Sequence, residues 1–399
     1  MKSIKLLSIV LCATITIFCA CKSDSKPASI APPGPEAAPP SSPKPDIYLY
    51  RVTVDKLNLR EQPTKTGNVI TQFAEGSFVE GTGEISPNKE AATLRGIPYD
   101  EPYFQVKSSD YKHLGWVYSA ALEPVYAGSR ATSPDLNRLS QLSKFLTALD
   151  PTKLENGKKA NDFVKTNLAS ASGTLADAAF ILLENFLSRM EIEGNYYEQT
   201  ERLQWTDSDY EAIYADKFDM NKFPLTKSLA ENGFRLELGE GMVFPIIDLS
   251  KQADFFAGRV TPPMKEYILQ TLYEQKESAY NDGGIIIGLD TLAERAIFWE
   301  KFNKLNPYFV RKAETLESER WLRLVLLNGS DNTPVFDYDN QSVLEDYKKL
   351  WALIIQKYPG TKLAKDVQEL AALCAAEGWK RSPKVEAWQT NYANEYQTK

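Results

Sequence analysis

The hydrophobic period of this chain changes once, between Val125 and Ser133. Before that point the runs IYLYRVTV, NVITQF, SFVEGTG, YFQVK and LGWVY alternate apolar and polar residues, each bounded by Gly, Pro, Asn or Asp. After it, Leu136, Leu139, Leu142, Leu146 and Leu149 recur at steps of three and four. A period of two places alternate side chains on opposite faces of a strand; a period near 3.6 draws one stripe along a helix. One uniform architecture cannot satisfy both. The expectation is a small all-β unit over residues 47–125, a linker over 126–134 and a mainly helical domain over 135–399.

The first 46 residues belong to neither. Residues 1–20 begin with Lys2 and Lys5 and continue as an apolar run over 6–18. That run is short of the roughly 20 residues a membrane span needs, so it predicts a cleaved secretory leader. The segment Phe18-Cys19-Ala20-Cys21 resembles a bacterial lipoprotein signal, in which a small residue precedes an acylated cysteine. Ala20 and Cys21 match that pattern, and Phe18 stands where Leu is usual. The resemblance implies a palmitate-type anchor on Cys21, with about 0.8 kcal/mol per buried methylene holding the chain on a membrane. It places the protein in a bacterial cell envelope, periplasmic or surface-facing. The other reading is a plain secretory leader cut after Ala20. Residues 21–46 hold eight prolines between Pro27 and Pro45 and predict an extended tether.

Within 47–125 two patterns stand out. One is Leu57-Asn58-Leu59-Arg60-Glu61-Gln62-Pro63, followed by Gly67-Asn68-Val69-Ile70 and Glu75-Gly76. The other is Tyr103-Phe104-Gln105-Val106, followed by Gly115-Trp116-Val117 and Leu122. Together they resemble the bacterial SH3-like domain, a small half-open barrel of exported proteins. Tyr103 replaces a usual Trp, and residues 85–101 form an insertion. The resemblance implies an adaptor that binds cell-wall peptide (peptidoglycan) or a protein partner. Tyr50, Tyr103, Tyr111, Trp116 and Tyr118 are candidates for an aromatic ligand groove, with core filling as the alternative for Trp116 and Tyr103. Gly76 suits a tight turn and Gly115 a close backbone approach.

In the C-terminal two thirds, Ser133-Pro134 opens a helix, and Thr174 with Asp177 reads as a capping box. Further helices are expected near 207–218, 263–280, 291–305, 309–328, 342–357, 362–377 and 383–396. A β-hairpin is expected where residues 234–238 and 242–247 flank Gly239-Glu240-Gly241, with Pro245 on an edge. Trp299 lies eight residues before Pro307, and Trp351 eight before Pro359. The second copy resembles a tetratricopeptide helix–turn–helix. The spacing of the two is wider than the roughly 34 residues of a regular array, so helical-repeat-like packing with both tryptophans in the core is expected.

The chemical inventory is thin. The chain has a single histidine, His113, and four cysteines, of which Cys12 and Cys19 fall in the leader and Cys21 at its end. Cys374 sits in an apolar helical setting and is expected to be buried and inert. Triads built on histidine, cysteine nucleophiles and zinc sites of Cys/His type are unsupported, and no catalytic residue, metal or cofactor is assigned. His113 is expected to be an exposed bystander. A net charge of −7 argues against nucleic acid as a partner. Carboxylate chemistry is the alternative. Glu277-Ser278, with Gly288-Leu289 downstream, faintly resembles lytic transglycosylases, which would make Glu277 the general acid of a cell-wall glycosidase. The bland counterpart is a solvated carboxylate late in a helix. The leading expectation is therefore a lipid-anchored binding protein without enzymatic activity.

Overall fold

The computed structural model describes residues 44–398. The leader, Cys21 and most of the proline-rich tether lie outside the described residues. Seven strands form one antiparallel sheet: β1 (Ile47–Val52), β2 (Leu57–Arg60), β3 (Val69–Phe73), β4 (Phe78–Leu94), β5 (Ile97–Ser108), β6 (Leu114–Tyr118) and β7 (Leu122–Gly128). Their order is β3-β2-β6-β5-β4-β1-β7, so β3 and β7 are edges and no closed barrel forms. Here the structure departs from the expected small barrel. Two register shifts in β4, between Gly81 and Ile85 and between Ile85 and Lys89, break the regular ladder with β5. Beyond them, residues 85–101, the expected insertion, are a hairpin arm made by the outer halves of β4 and β5. Leu94 pairs with Ile97 across a two-residue turn, in which Arg95 and Gly96 have φ of 49° and 80°. Positive φ at both positions matches the right-handed twist of the strands.

The sheet has apolar packing on both of its faces. Val52, Leu57, Leu59, Val79, Val106, Val117 and Ala121 form a small core on one side, with Tyr50, Phe73, Leu94 and Phe104 packed against it. On the other side Ile47, Leu49, Phe78, Val125 and Tyr126 join the core of the helical region. Residues 126–134 are thus mostly structured: β7 runs to Gly128 and the first helix begins at Ser133. Arg51 crosses the seam. Its Nε donates to Ser143 Oγ at 3.2 Å and its Nη2 to Thr147 Oγ1 at 2.9 Å. Ser143 Oγ in turn donates to the carbonyl of Gly76 at 2.7 Å. Gly76 makes the expected turn, with φ of 79°, and a Cβ there would stand 2.5 Å from Thr147 Oγ1.

Thirteen helices follow among the described residues. They are α1 (Ser133–Ala148), α2 (Asn156–Asn167), α3 (Thr174–Glu193), α4 (Tyr196–Thr200), α5 (Asp207–Tyr214), α6 (Pro224–Glu231), α7 (Leu249–Phe256), α8 (Pro262–Lys276), α9 (Leu289–Leu305), α10 (Lys312–Asn328), α11 (Glu345–Lys357), α12 (Lys362–Ala376) and α13 (Pro383–Thr398). The expected hairpin is present as β8 (Phe234–Gly239) and β9 (Met242–Ile247). With only two strands, both are edges, which suits Pro245. Two short hairpins were not expected: β10 (Tyr280–Asn281) with β11 (Gly284–Ile285), and β12 (Gly329–Ser330) with β13 (Thr333–Pro334). The first of these explains why α8 stops at Lys276 rather than near 280.

α1 opens as its sequence predicts. Thr132 Oγ1 accepts from Asp135 N, and Pro134 occupies the first turn. The capping box at Thr174 and Asp177 does not form. Gly173 is the N-cap, and Thr174 Oγ1 donates to the Tyr126 hydroxyl at 3.2 Å. Asp177 instead accepts from Thr261 N at 2.8 Å and from Thr261 Oγ1 at 2.7 Å, just ahead of α8. The reason is burial: α3 is covered along most of its length, so its first turn meets protein rather than water. Trp299 and Trp351 are 2% and 1% exposed and anchor the core. In both copies of the echo the helix ends two residues before the proline, α9 before Pro307 and α11 before Pro359. No described helix is long and apolar enough to cross a membrane.

Candidate functional site

Strand alternation decides which aromatic residues can share a surface. On β6, Val117 faces the small core, so Leu114, Trp116 and Tyr118 face outward. On β5, Val106 and Phe104 face inward, so Tyr103 and Gln105 face outward. On β1, Tyr50 and Val52 face the small core while Leu49 faces the helices. Tyr50 therefore lies on the opposite side of the sheet from Trp116. It packs edge-on against Phe104, with ring centroids 5.8 Å apart, and burial pushes its hydroxyl up to about 12.

Tyr103 and Tyr118 do sit together, directly opposite in register and edge to face at 5.5 Å. They are 3% and 7% exposed, because the hairpin arm covers them. Tyr103 OH donates to Glu90 Oε2 at 3.1 Å, and Tyr118 OH donates to the Glu90 carbonyl at 2.6 Å. The Glu101 amide donates to Tyr118 OH at 3.1 Å. Burial first, and the Glu90 carboxylate second, push the Tyr103 hydroxyl up to about 12. Both rings act as anchors for the arm, which is the core-filling alternative for Tyr103 in another form.

Tyr111 is exposed and belongs to a separate cluster. Its hydroxyl donates to Glu80 Oε2 at 2.9 Å and accepts from Arg130 Nη1 at 2.7 Å, with the guanidinium 5.2 Å from the ring centre. Arg130 also pairs with Glu80 at 3.1 Å.

Trp116 is the candidate that remains open. It is half-buried on the outer face, not in the core. Its register neighbours are Arg60 on β2 and Gln105 on β5, and Arg60 in turn faces Val69 on β3. This makes a cross-strand row Val69–Arg60–Trp116–Gln105 ending at the free edge of β3. Gly115 brings the strands close: a Cβ there would meet the Arg60 carbonyl oxygen at 2.6 Å. Val69 and Leu114 are about half exposed and add apolar surface. The sequence signal for this row was Val69-Ile70, two adjacent apolar residues where alternation would allow one. Its meaning depends on the bulge in the β2–β3 pairing. The five aromatic candidates therefore do not line one groove; Trp116 keeps an open face and the others are divided among three environments.

The remaining candidates are placed as follows. His113 is half-buried at the β5–β6 turn, where its backbone bonds Ser108 in both directions. Cys374 is buried in α12, and burial pushes its thiol up to about 11. Glu277 follows the last residue of α8, with Oε2 2.8 Å from Nη2 of the buried Arg295, whose Nη2 also donates to the Glu277 carbonyl. Among the described residues no group of three or more His, Cys, Asp or Glu could hold a metal ion. No family model, curated protein or solved structure matches the chain.

Proposed function

We propose that this protein is a lipid-anchored, non-enzymatic adaptor of a bacterial cell envelope, holding an extended peptide of the wall or of a protein partner against its sheet. The observation that carries this reading is the outer-face row Val69–Arg60–Trp116, which runs from half-buried Trp116 on β6 across β2 to the unpaired edge of β3. An edge strand offers main-chain groups to an added strand, and the side chains of the row leading inward from it supply side-chain contacts. The sheet is an enlarged relative of the SH3-like fold, in which the arm and a seventh strand are additions. The Leu57–Arg60 and Leu114–Tyr118 pairing around Gly115 supports that kinship. Acylation of Cys21 and the proline-rich tether would set the sheet away from the membrane.

The test is retention of the protein on purified peptidoglycan and on envelope extract. Wild type should be retained, and Trp116→Ala should weaken retention about tenfold with an unchanged unfolding midpoint. A wild-type protein that retains on neither overturns the reading. For the anchor, Cys21→Ala should lower the mass by the acyl group and release the protein from membranes; an unchanged mass refutes acylation. The glycosidase alternative is weakened by the commitment of Glu277 to Arg295. Peptidoglycan clearing by wild type that Glu277→Gln abolishes would restore it.

A further inference from the structure

The hairpin arm lies across the outer face of the sheet. Glu90 Oε2 accepts from Tyr103 OH on β5 at 3.1 Å and from Lys65 N, in the β2–β3 connection, at 3.0 Å. In the strand order β3-β2-β6-β5, β2 and β6 separate those two donors, so the arm bridges over them. Farther out, Arg95 reaches Glu75, just past β3, at 2.7 Å. The surface underneath is aromatic. Tyr103 is opposite Tyr118, and two residues along the same strands Gln105 is opposite Trp116. Residues two apart share a face, so Trp116, Tyr118 and Tyr103 form one continuous strip. The arm seals Tyr103 and Tyr118 and leaves Trp116 half-buried.

This cover is lightly held. Leu94 packs against the small core, but Ile85 and Ile97 are 58% and 50% exposed. The ties to Lys65 and Glu75 are exposed hydrogen bonds. At the base, residues 82–84 of β4 oppose Gln105 alone, and residues 86–88 oppose Tyr103 alone. Surplus residues of this kind break the ladder and let a strand bend. Gly83, within the first surplus, has a φ of 90° and open space around it. A segment with few apolar contacts and an irregular base opens more readily than the sheet it covers.

The seat under Glu90 suits a carboxylate in general. Its two donors belong to the sheet and to the β2–β3 connection, not to the arm. Arg60, the register neighbour of Trp116, lies within electrostatic reach of the Tyr103 hydroxyl. Its Nη1 donates to the Gly67 carbonyl at 2.7 Å, and it forms no salt bridge among the described residues.

We propose that the arm is an internal ligand of the sheet: it lifts from the outer face, and an extended peptide with an acidic side chain replaces it, its carboxylate taking the seat of Glu90 and its chain lying over Trp116, Tyr118 and Tyr103. This rests on the peptide-binding reading above and adds to it the partner's charge and a closed state of the site.

The probe is a fluorescein-labelled synthetic copy of the arm's own strand, residues 86–94, with a second copy carrying Gln in place of its Glu. Binding to the detergent-solubilised full-length protein is read by fluorescence anisotropy. Glu90→Gln in the protein removes the internal competitor and should bind the probe saturably, about tenfold tighter than wild type. The Gln copy should bind that variant about tenfold more weakly, having lost the charge-assisted bonds. On the same background, Ala74→Cys with Arg95→Cys, joined by a bis-maleimide, pins the arm down; the joined protein should bind about tenfold more weakly than the unjoined. Absence of saturable binding by Glu90→Gln, equal affinity for both copies, or indifference to the cross-link overturns the proposal. If the probe behaves as expected but wild type is retained on neither peptidoglycan nor envelope extract, the function proposed above falls and the arm's role stands. Retention of wild type with no response of the probe to these changes does the reverse.

Discussion

Burial beneath the start of α8 pushes the Asp177 carboxyl up to about 6, from an ordinary 3.8, although two bonds from Thr261 pull it down. The folded state therefore holds this proton more tightly than the unfolded chain. Its stabilising effect is complete below about pH 4 and is lost as pH rises through 6. The shift corresponds to something on the order of 3 kcal/mol between those limits. Asp177→Asn keeps an acceptor for Thr261 N and gains a donor towards Thr261 Oγ1. The thermal midpoint of the variant relative to wild type should rise between pH 4 and pH 7; a constant difference would show that Asp177 is not the titrating group. Gly115 makes a sterically sharper case. A methyl group 2.6 Å from the Arg60 carbonyl cannot be absorbed by a side-chain rotation, because the obstacle is backbone. Gly115→Ala should cost about 1–3 kcal/mol, seen as a lower urea midpoint with an unchanged slope.

The arm formed by β4 and β5 is anchored along its length. Lys65 N donates to Glu90 Oε2 at 3.0 Å, and Lys65 Nζ donates to the Ala91 carbonyl. At the tip, Arg95 donates to Glu75 at 2.7 Å, and Leu94 packs against the small core. These are mostly exposed polar contacts, which contribute little each. Amides of residues 89–97 should consequently exchange with solvent orders of magnitude faster than those of Val106 and Val117; equal protection would show that the arm opens only with the sheet. The helices were easier to foresee than the arm. A stripe such as Leu139, Leu142 and Leu146 reports its own burial through spacing alone. Residues 85–101 have no comparable pattern, because residues 90–94 pair with 97–101 on the other half of the arm, and the two register shifts at its base leave no mark in composition.

The sheet and the helices share a single large core. Ile47, Leu49, Phe78, Val125 and Tyr126 would all be uncovered if the helices were removed, and buried Arg51 would lose Ser143 and Thr147. Glu75 adds to the seam: it lies 2.7 Å from Arg95, 3.7 Å from Arg189 on α3 and 3.9 Å from Arg51. Calorimetry of the full-length protein should thus give one cooperative transition, with calorimetric and van't Hoff enthalpies in agreement. Two resolved transitions would show that the sheet and helices melt as separate units. The sequence by itself determined the order of a strand-rich segment and a helical one, the β8–β9 hairpin, and the burial of Trp299, Trp351 and Cys374. Each of these follows from periodicity or apolar character within a short window, where burial leaves a local signature. Only the tertiary structure decided that Tyr103 and Tyr118 lie beneath the arm while Trp116 stays open, that Asp177 serves Thr261 rather than its own helix, and that the seven strands remain an open sheet built into the helical core. Those outcomes depend on register and on partners distant in the chain, and neither is encoded in the spacing of neighbouring residues.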